Sequence, residues 1–153
     1  MNKDQFIDQV QYLLQLMEQC DDTNWMFSDK DYSLIRKDLW INEIQAICKV
    51  EVIYSETHQS PVLILHVKSL NGIPISIQVL QNYTRTTRAF TCEPHPISAK
   101  PVFIIHPCHT RDLMGIMHAN GKSQLFVWLN SILSSLRINA FTICYYTNIK
   151  DEP

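Results

Sequence analysis

The sequence predicts an α+β domain, an antiparallel sheet with an N-terminal and a C-terminal helix packed on it, and three observations predict it. Residues 3 to 19 and 125 to 136 repeat apolar side chains at helical spacing, whereas residues 48 to 67 and 101 to 105 alternate or run apolar in strand-length blocks. The resulting order of helix, meander, cysteine-bearing loop and helix is that of an α+β domain with helices against one face of the sheet. With 153 residues, 46% hydrophobic, 18% charged and only three glycines, the chain is long enough for one sizeable core. No linker or long repeat divides it, so residues 1–153 are expected to form one domain.

Each element has its own justification. Phe6, Ile7, Val10, Leu13, Leu14 and Met17 share a face over residues 3 to 19, and Asn2 with Gln5 three positions later has the form of a capping box. Trp25 and Phe27 alternate, Asp29-Lys30-Asp31 reads as a turn, and Tyr32 to Ile41 as strand. From Cys48, the alternation of Cys48, Val50, Val52 and Tyr54 against Lys49, Glu51 and Ser55 describes a half-buried strand. Pro61 opens the next element, and Val62 to Val67, apolar at nearly every position, predicts a central strand covered on both faces. Asn71-Gly72 marks a turn, with a strand or short helix over Ile73 to Leu80. Residues 81 to 100 are polar and proline-punctuated and read as a long excursion. Pro101 to Ile105 returns to the sheet. One or two helical turns over Leu113 to His118 precede a final helix, entered at Gly121 and Ser123, that buries Leu125, Trp128, Leu129, Ile132, Leu133 and Leu136. Phe141, Ile143 and Tyr145 alternate as a last strand.

Composition narrows the function. A formal net charge of −2 leaves no electrostatic footprint for nucleic acid. No apolar stretch approaches the roughly 20 residues of a membrane span, and the first residues lack the apolar core and cleavage site of a secretory signal. A cytoplasmic protein without stable membrane insertion is expected. The five cysteines, at 20, 48, 92, 108 and 144, are odd in number and contain no Cys-x-x-Cys, which suggests neither a disulfide framework nor a zinc knuckle. Cys48 and Cys144 read as core. Gly121-Lys122-Ser123 fails as a phosphate-binding loop because Gly115 is one residue too distant.

The segment Phe103-Ile104-Ile105-His106-Pro107-Cys108-His109-Thr110 carries the chemistry. An apolar strand buries the scaffold, and Pro107, with φ held at about −65° and no N–H, breaks the ladder, so Cys108 is expected near a sheet edge. Among His109, Thr110, Arg111 and Asp112, a thiolate is solvated and stabilised for nucleophilic attack. The residues alone leave two other uses open. His106, Cys108 and His109 could join His95, His66 or His118 around a metal, although their spacing is too close for a paired finger, and a cysteine hydrolase could use His106 or a remote histidine as base.

Taken with Tyr54-Ser55, Pro61-Val62-Leu63-Ile64-Leu65, Asn71-Gly72-Ile73-Pro74, His95-Pro96 and Pro101 to Ile105, the His106-Pro107-Cys108-His109-Thr110 motif resembles the autophagy-related protein ten family of ubiquitin-like-conjugating enzymes. The resemblance runs from about Tyr54 to Leu136. It implies a ubiquitin-conjugating-enzyme-like fold and a transferase that holds its cargo as a thioester. By that resemblance Cys108 accepts the ubiquitin-like autophagy-related protein twelve from the activating enzyme, autophagy-related protein seven. A lysine of autophagy-related protein five then attacks. The resemblance implies no cofactor or metal at this stage. Tyr54, matching a family tyrosine, is a candidate aid to lysine attack, and His106 a candidate for loop or catalytic support. Ordinary ubiquitin-conjugating enzymes have His-Pro-Asn ahead of the cysteine; this chain has His95-Pro96-Ile97, which leaves the oxyanion donor unassigned.

Two alternatives complete the reading. The sister enzyme, autophagy-related protein three, lipidates another modifier, but its long acidic insertion and membrane-sensing helix are not seen, and Asp4, Asp8 and Glu18 suit residues 3 to 19 poorly to an anionic bilayer. An idle interaction module on the same fold is the other, and the presence of Cys108 speaks against it.

Overall fold

The computed structural model describes residues 1–85, 90–105 and 124–141. Its centre is a six-stranded sheet in the order β1-β2-β3-β4-β6-β5, formed by β1 (Trp25–Ser28), β2 (Ser33–Ile41), β3 (Ala46–Ser55), β4 (Ser60–Ser69), β5 (Phe90–Pro94) and β6 (Pro101–Ile105). Every pairing is antiparallel. Helices α1 (Lys3–Gln19), α2 (Ile77–Thr84) and α3 (Gln124–Ser135), with a short 3-10 helix at Asn42–Ile44, complete the described elements.

The strand period divides the sheet into two faces. Val50, Val52, Leu63, Leu65 and Phe103 point inward and join Phe6, Val10 and Leu13 of α1, Leu80 of α2 and Trp128, Leu129 and Ile132 of α3 in the main core. The opposite face carries a smaller cluster of Ile53, Val62, Ile64, Val102 and Ile104. β4 thus contributes to both, as its unbroken apolar run predicts.

Helix α1 begins as expected. The Asn2 side chain accepts from the Gln5 N–H while the Gln5 side chain accepts from the Asn2 N–H, each at 2.9 Å. Its buried stripe is Phe6, Gln9, Val10, Leu13, Leu16 and Met17, whereas Ile7 and Leu14 sit only at its margin. Gln9 is buried because its Oε1 accepts from Leu125 N at 2.6 Å, satisfying a backbone donor at the first turn of α3. The expected α3 face is fully buried, with Leu136 just beyond the helix.

Three expectations need correction. The stretch from 81 to 100 is not one excursion, since α2 runs to Thr84 and β5 pairs Phe90–Pro94 with β6. The short run Phe90 to Pro94 has little strand signal alone and is set by its neighbour. β6 lies between β4 and β5 as an inner strand, and Cys108, expected near a sheet edge, falls outside the described residues. Glu51, expected on a solvated strand face, is buried. Cys20 is disulfide-bonded, where the number and spacing of the cysteines suggested no disulfide framework. Leu113 to His118 and the strand beginning at Phe141 also fall wholly or mostly outside them, while Phe141 itself is buried against Trp25 and Phe126.

Candidate functional site

The strand that precedes the motif is fixed on both sides. Phe103 and Ile104 pair with Leu65 and Ile64 of β4, and the whole of β6 pairs with β5. Ile105, its last residue, is buried. Cys108 and His106 lie outside the described residues, as do His109, Thr110 and His118.

Tyr54 stands at the end of the sheet where β6 finishes. Ile104 is level with Ile64 and Glu51, and three residues further toward that end Tyr54 pairs with Pro61. Its ring packs 5.8 Å from that of Phe6, and its hydroxyl donates to the Met1 carbonyl at 3.2 Å. A cleft of about 370 Å³ opens beside it, lined by Ile53, Glu56, His58, Val62, Glu93 and Ile104 among others. Lys3 pairs with Glu56 at its rim at 3.1 Å, and Thr91 donates to Glu93.

On the outer face of the sheet, the one that carries the Ile53 cluster, and one row further from the Tyr54 end, a carboxylate is held by three nitrogens. Glu51 Oε2 lies 2.8 Å from His66 Nε2, 3.3 Å from His95 Nε2 and 3.3 Å from Lys49 Nζ. Burial alone raises a carboxyl, but the hydrogen bond from His66 and the charge of Lys49 outweigh it and bring Glu51 from 4.5 down to about 2. Neither histidine was expected to meet Glu51, and the polar alternation of β3 gave no sign of it. The only sequence signal was His95-Pro96, noted for its resemblance and not for its partner.

Glu51, His66 and His95 place ligand atoms within 4.8 Å of one another, a spacing compatible with a divalent cation. The hydrogen bonds of His95 oppose that use. Its Nδ1 accepts from the N–H groups of Ile97 and Ser98, each at 3.1 Å, so the ring proton must sit on Nε2 and point at Glu51. A metal would need the lone pair at Nε2 and a proton on Nδ1, which the two backbone donors forbid. The cluster is therefore an anchor. Backbone bonds from His95 N to Lys100 O and from Ala99 N to His95 O close the turn, and Glu51 ties that turn to the middle of the sheet.

The remaining described cysteines differ sharply. Cys48 is buried in the main core, and desolvation pushes its thiol up to about 12, which removes it as a nucleophile; Cys92 is exposed on β5.

Comparison with known proteins places this architecture. The family model described as "Autophagocytosis associated protein, active-site domain" matches residues 11–141. Among solved structures, the chain is similar to the crystal structure of the autophagic E2, Atg10, with a TM-score of 0.65 and 17% identity over 89% of this chain and 96% of that one. No curated protein sequence gives a significant match. The six-stranded antiparallel sheet with its helices is thus an E2-like fold, and no helix among the described residues is long and apolar enough to cross a membrane. Because the family model spans most of the chain, from α1 through the core beyond α3, the chain belongs to the family of autophagocytosis-associated proteins defined by that active-site domain.

Proposed function

We propose that the chain is an autophagic conjugating enzyme that accepts autophagy-related protein twelve on Cys108 from autophagy-related protein seven and passes it to a lysine of autophagy-related protein five. The observation that carries the reading is the position of β6. This inner strand of an E2-like sheet ends three residues before Cys108, at the end of the sheet occupied by Tyr54.

The chemistry needs two exchanges. The Cys108 thiolate attacks the thioester carbonyl carried by the activating enzyme, a new C–S bond forms, and the activating enzyme's thiolate leaves. A neutral lysine amine then attacks that carbonyl, Cys108 leaves as thiolate, and the nitrogen loses its proton as the isopeptide bond is completed. Neither exchange requires a metal or nucleotide at this protein.

Tyr54 is proposed to orient the lysine. Its hydroxyl proton is engaged with Met1, which leaves the oxygen lone pairs to accept an N–H from the incoming amine. Glu56 and Glu93 on the adjoining cleft favour a cationic side chain's approach. His106 is proposed to support the loop that holds Cys108.

The test mixes the protein with activating enzyme, ATP and each ubiquitin-like modifier in turn. The expected result is a reductant-sensitive adduct with autophagy-related protein twelve, replaced in Cys108→Ser by one that survives reductant. No adduct with the wild type, or a reductant-sensitive one with Cys108→Ser, overturns the proposal.

A further inference from the structure

The outer face of the sheet carries a second groove, at the end away from Tyr54. It encloses about 510 Å³, and Lys37, Lys49, Lys68 and Lys100 line it, with Asp38 as the single carboxylate among its lining residues. Four of the chain's 13 lysines and arginines therefore face one concavity, although the protein as a whole carries a net charge of −2. Lys49 is paired with Glu51. Lys37, Lys68 and Lys100 are exposed and form no ion pair among the described residues.

Ile47 and Leu70 supply apolar lining, and Trp40 flanks the groove beside Ile47. Ile47 pairs directly with Lys68 on β4 and with Trp40 on β2, so an aromatic and an aliphatic side chain run straight toward the cations. Trp40 is 47% and Ile47 37% exposed, and Leu70, 63% exposed, lines the groove itself. The walls are anchored: Lys100 and Ser98 belong to the turn that His95 ties to Glu51, and His66 of that network also lines the groove.

We infer that this groove docks an acidic segment of a partner protein, a run of aspartate or glutamate interrupted by apolar residues. Charge complementarity selects the sign: three ammonium groups that form no ion pair among the described residues surround the concavity, with Asp38 the one carboxylate among its described lining residues. The Trp40–Ile47 strip selects a peptide over a simple anion, because bare phosphate offers nothing to cover an exposed indole. Its position across the sheet from Tyr54 leaves it clear of the proposed lysine cleft, and it does not depend on the thioester reading.

The experiment titrates the full chain against a fluorescein-labelled glutamate-rich peptide with interspersed leucines and reads anisotropy. Binding is expected to weaken as ionic strength rises. The double variant Lys68→Glu, Lys100→Glu is expected to bind at least about tenfold more weakly, since each reversal replaces a surface attraction by a repulsion. Trp40→Ala is expected to weaken binding severalfold while leaving the salt dependence unchanged. Lys30→Glu, an exposed lysine remote from the groove, controls for net charge and is expected to bind as the wild type does. No binding, equal loss in Lys30→Glu, or no loss in the double variant overturns the inference. So does tighter binding to phosphatidylserine vesicles or to RNA with the same sensitivity to Lys68 and Lys100.

Discussion

Replacing Glu51 by glutamine removes one negative charge from the centre of the outer face and leaves its shape nearly unchanged. In the wild type the carboxylate accepts from His66 and His95 and neutralises Lys49; the amide oxygen can accept from one imidazole, but the amide NH₂ then opposes the other. The folded-state value of about 2 against an ordinary 4.5 corresponds to about 3 kcal/mol of stability at neutral pH. Because the folded value is depressed, that contribution is complete above about 4.5, about half remains at pH 3, and it disappears as the pH falls through about 2. The assay is urea denaturation of wild type and Glu51→Gln in parallel from pH 7 to pH 3. Taking the difference at each pH cancels the other carboxylates. The expected gap is about 3 kcal/mol at pH 7, or a fall in Tm of about 6–12 °C, shrinking by half at pH 3. A gap below about 0.5 kcal/mol at pH 7, or one that does not shrink with acid, would refute the reasoning.

Three further outcomes are expected. Tyr54→Phe loses one hydrogen bond to Met1 and about 1 kcal/mol or less of stability, while single-turnover transfer from the Cys108 thioester to lysine slows; unchanged transfer removes the proposed role of that hydroxyl. Asn2→Ala breaks the capping box and costs about 1 kcal/mol in denaturation, and a loss restricted to helix content without a shift of the unfolding midpoint would contradict it. Iodoacetamide at pH 8 is expected to label Cys92 promptly and Cys48 only at the rate of unfolding, since burial holds the Cys48 thiol near 12; mass spectrometry of digested, time-quenched samples reads both, and equal rates would contradict the burial argument.

How much of this was legible beforehand differs by element. Helix α1 and the buried face of α3 followed from local periodicity, because a helix's contacts with its core repeat along its own sequence. The two-sided burial of β4 was equally plain in its apolar run. Strand β5 was hidden, since five residues including Thr91, Glu93 and Pro94 become a strand only through pairing with β6. Glu51 was assigned to solvent for a sound local reason, as polar residues alternating with apolar ones usually face water. What reversed it was His95, 44 residues away, arriving over the sheet on a turn that no pattern in β3 announces.

By itself the sequence determined the fold class, the helix faces, the central strand and the motif around Cys108, because each is written in short-range spacing or in residue types whose chemistry is local. Tertiary structure alone decided that β6 is an inner strand, that Tyr54 shares its exit end, that a buried carboxylate anchors the His95 turn, and that four lysines scattered from 37 to 100 surround one groove. Those facts depend on which segments are brought side by side. Charge and hydrogen bonding act across space at a few ångströms, and the chain distance between the partners carries no record of that approach.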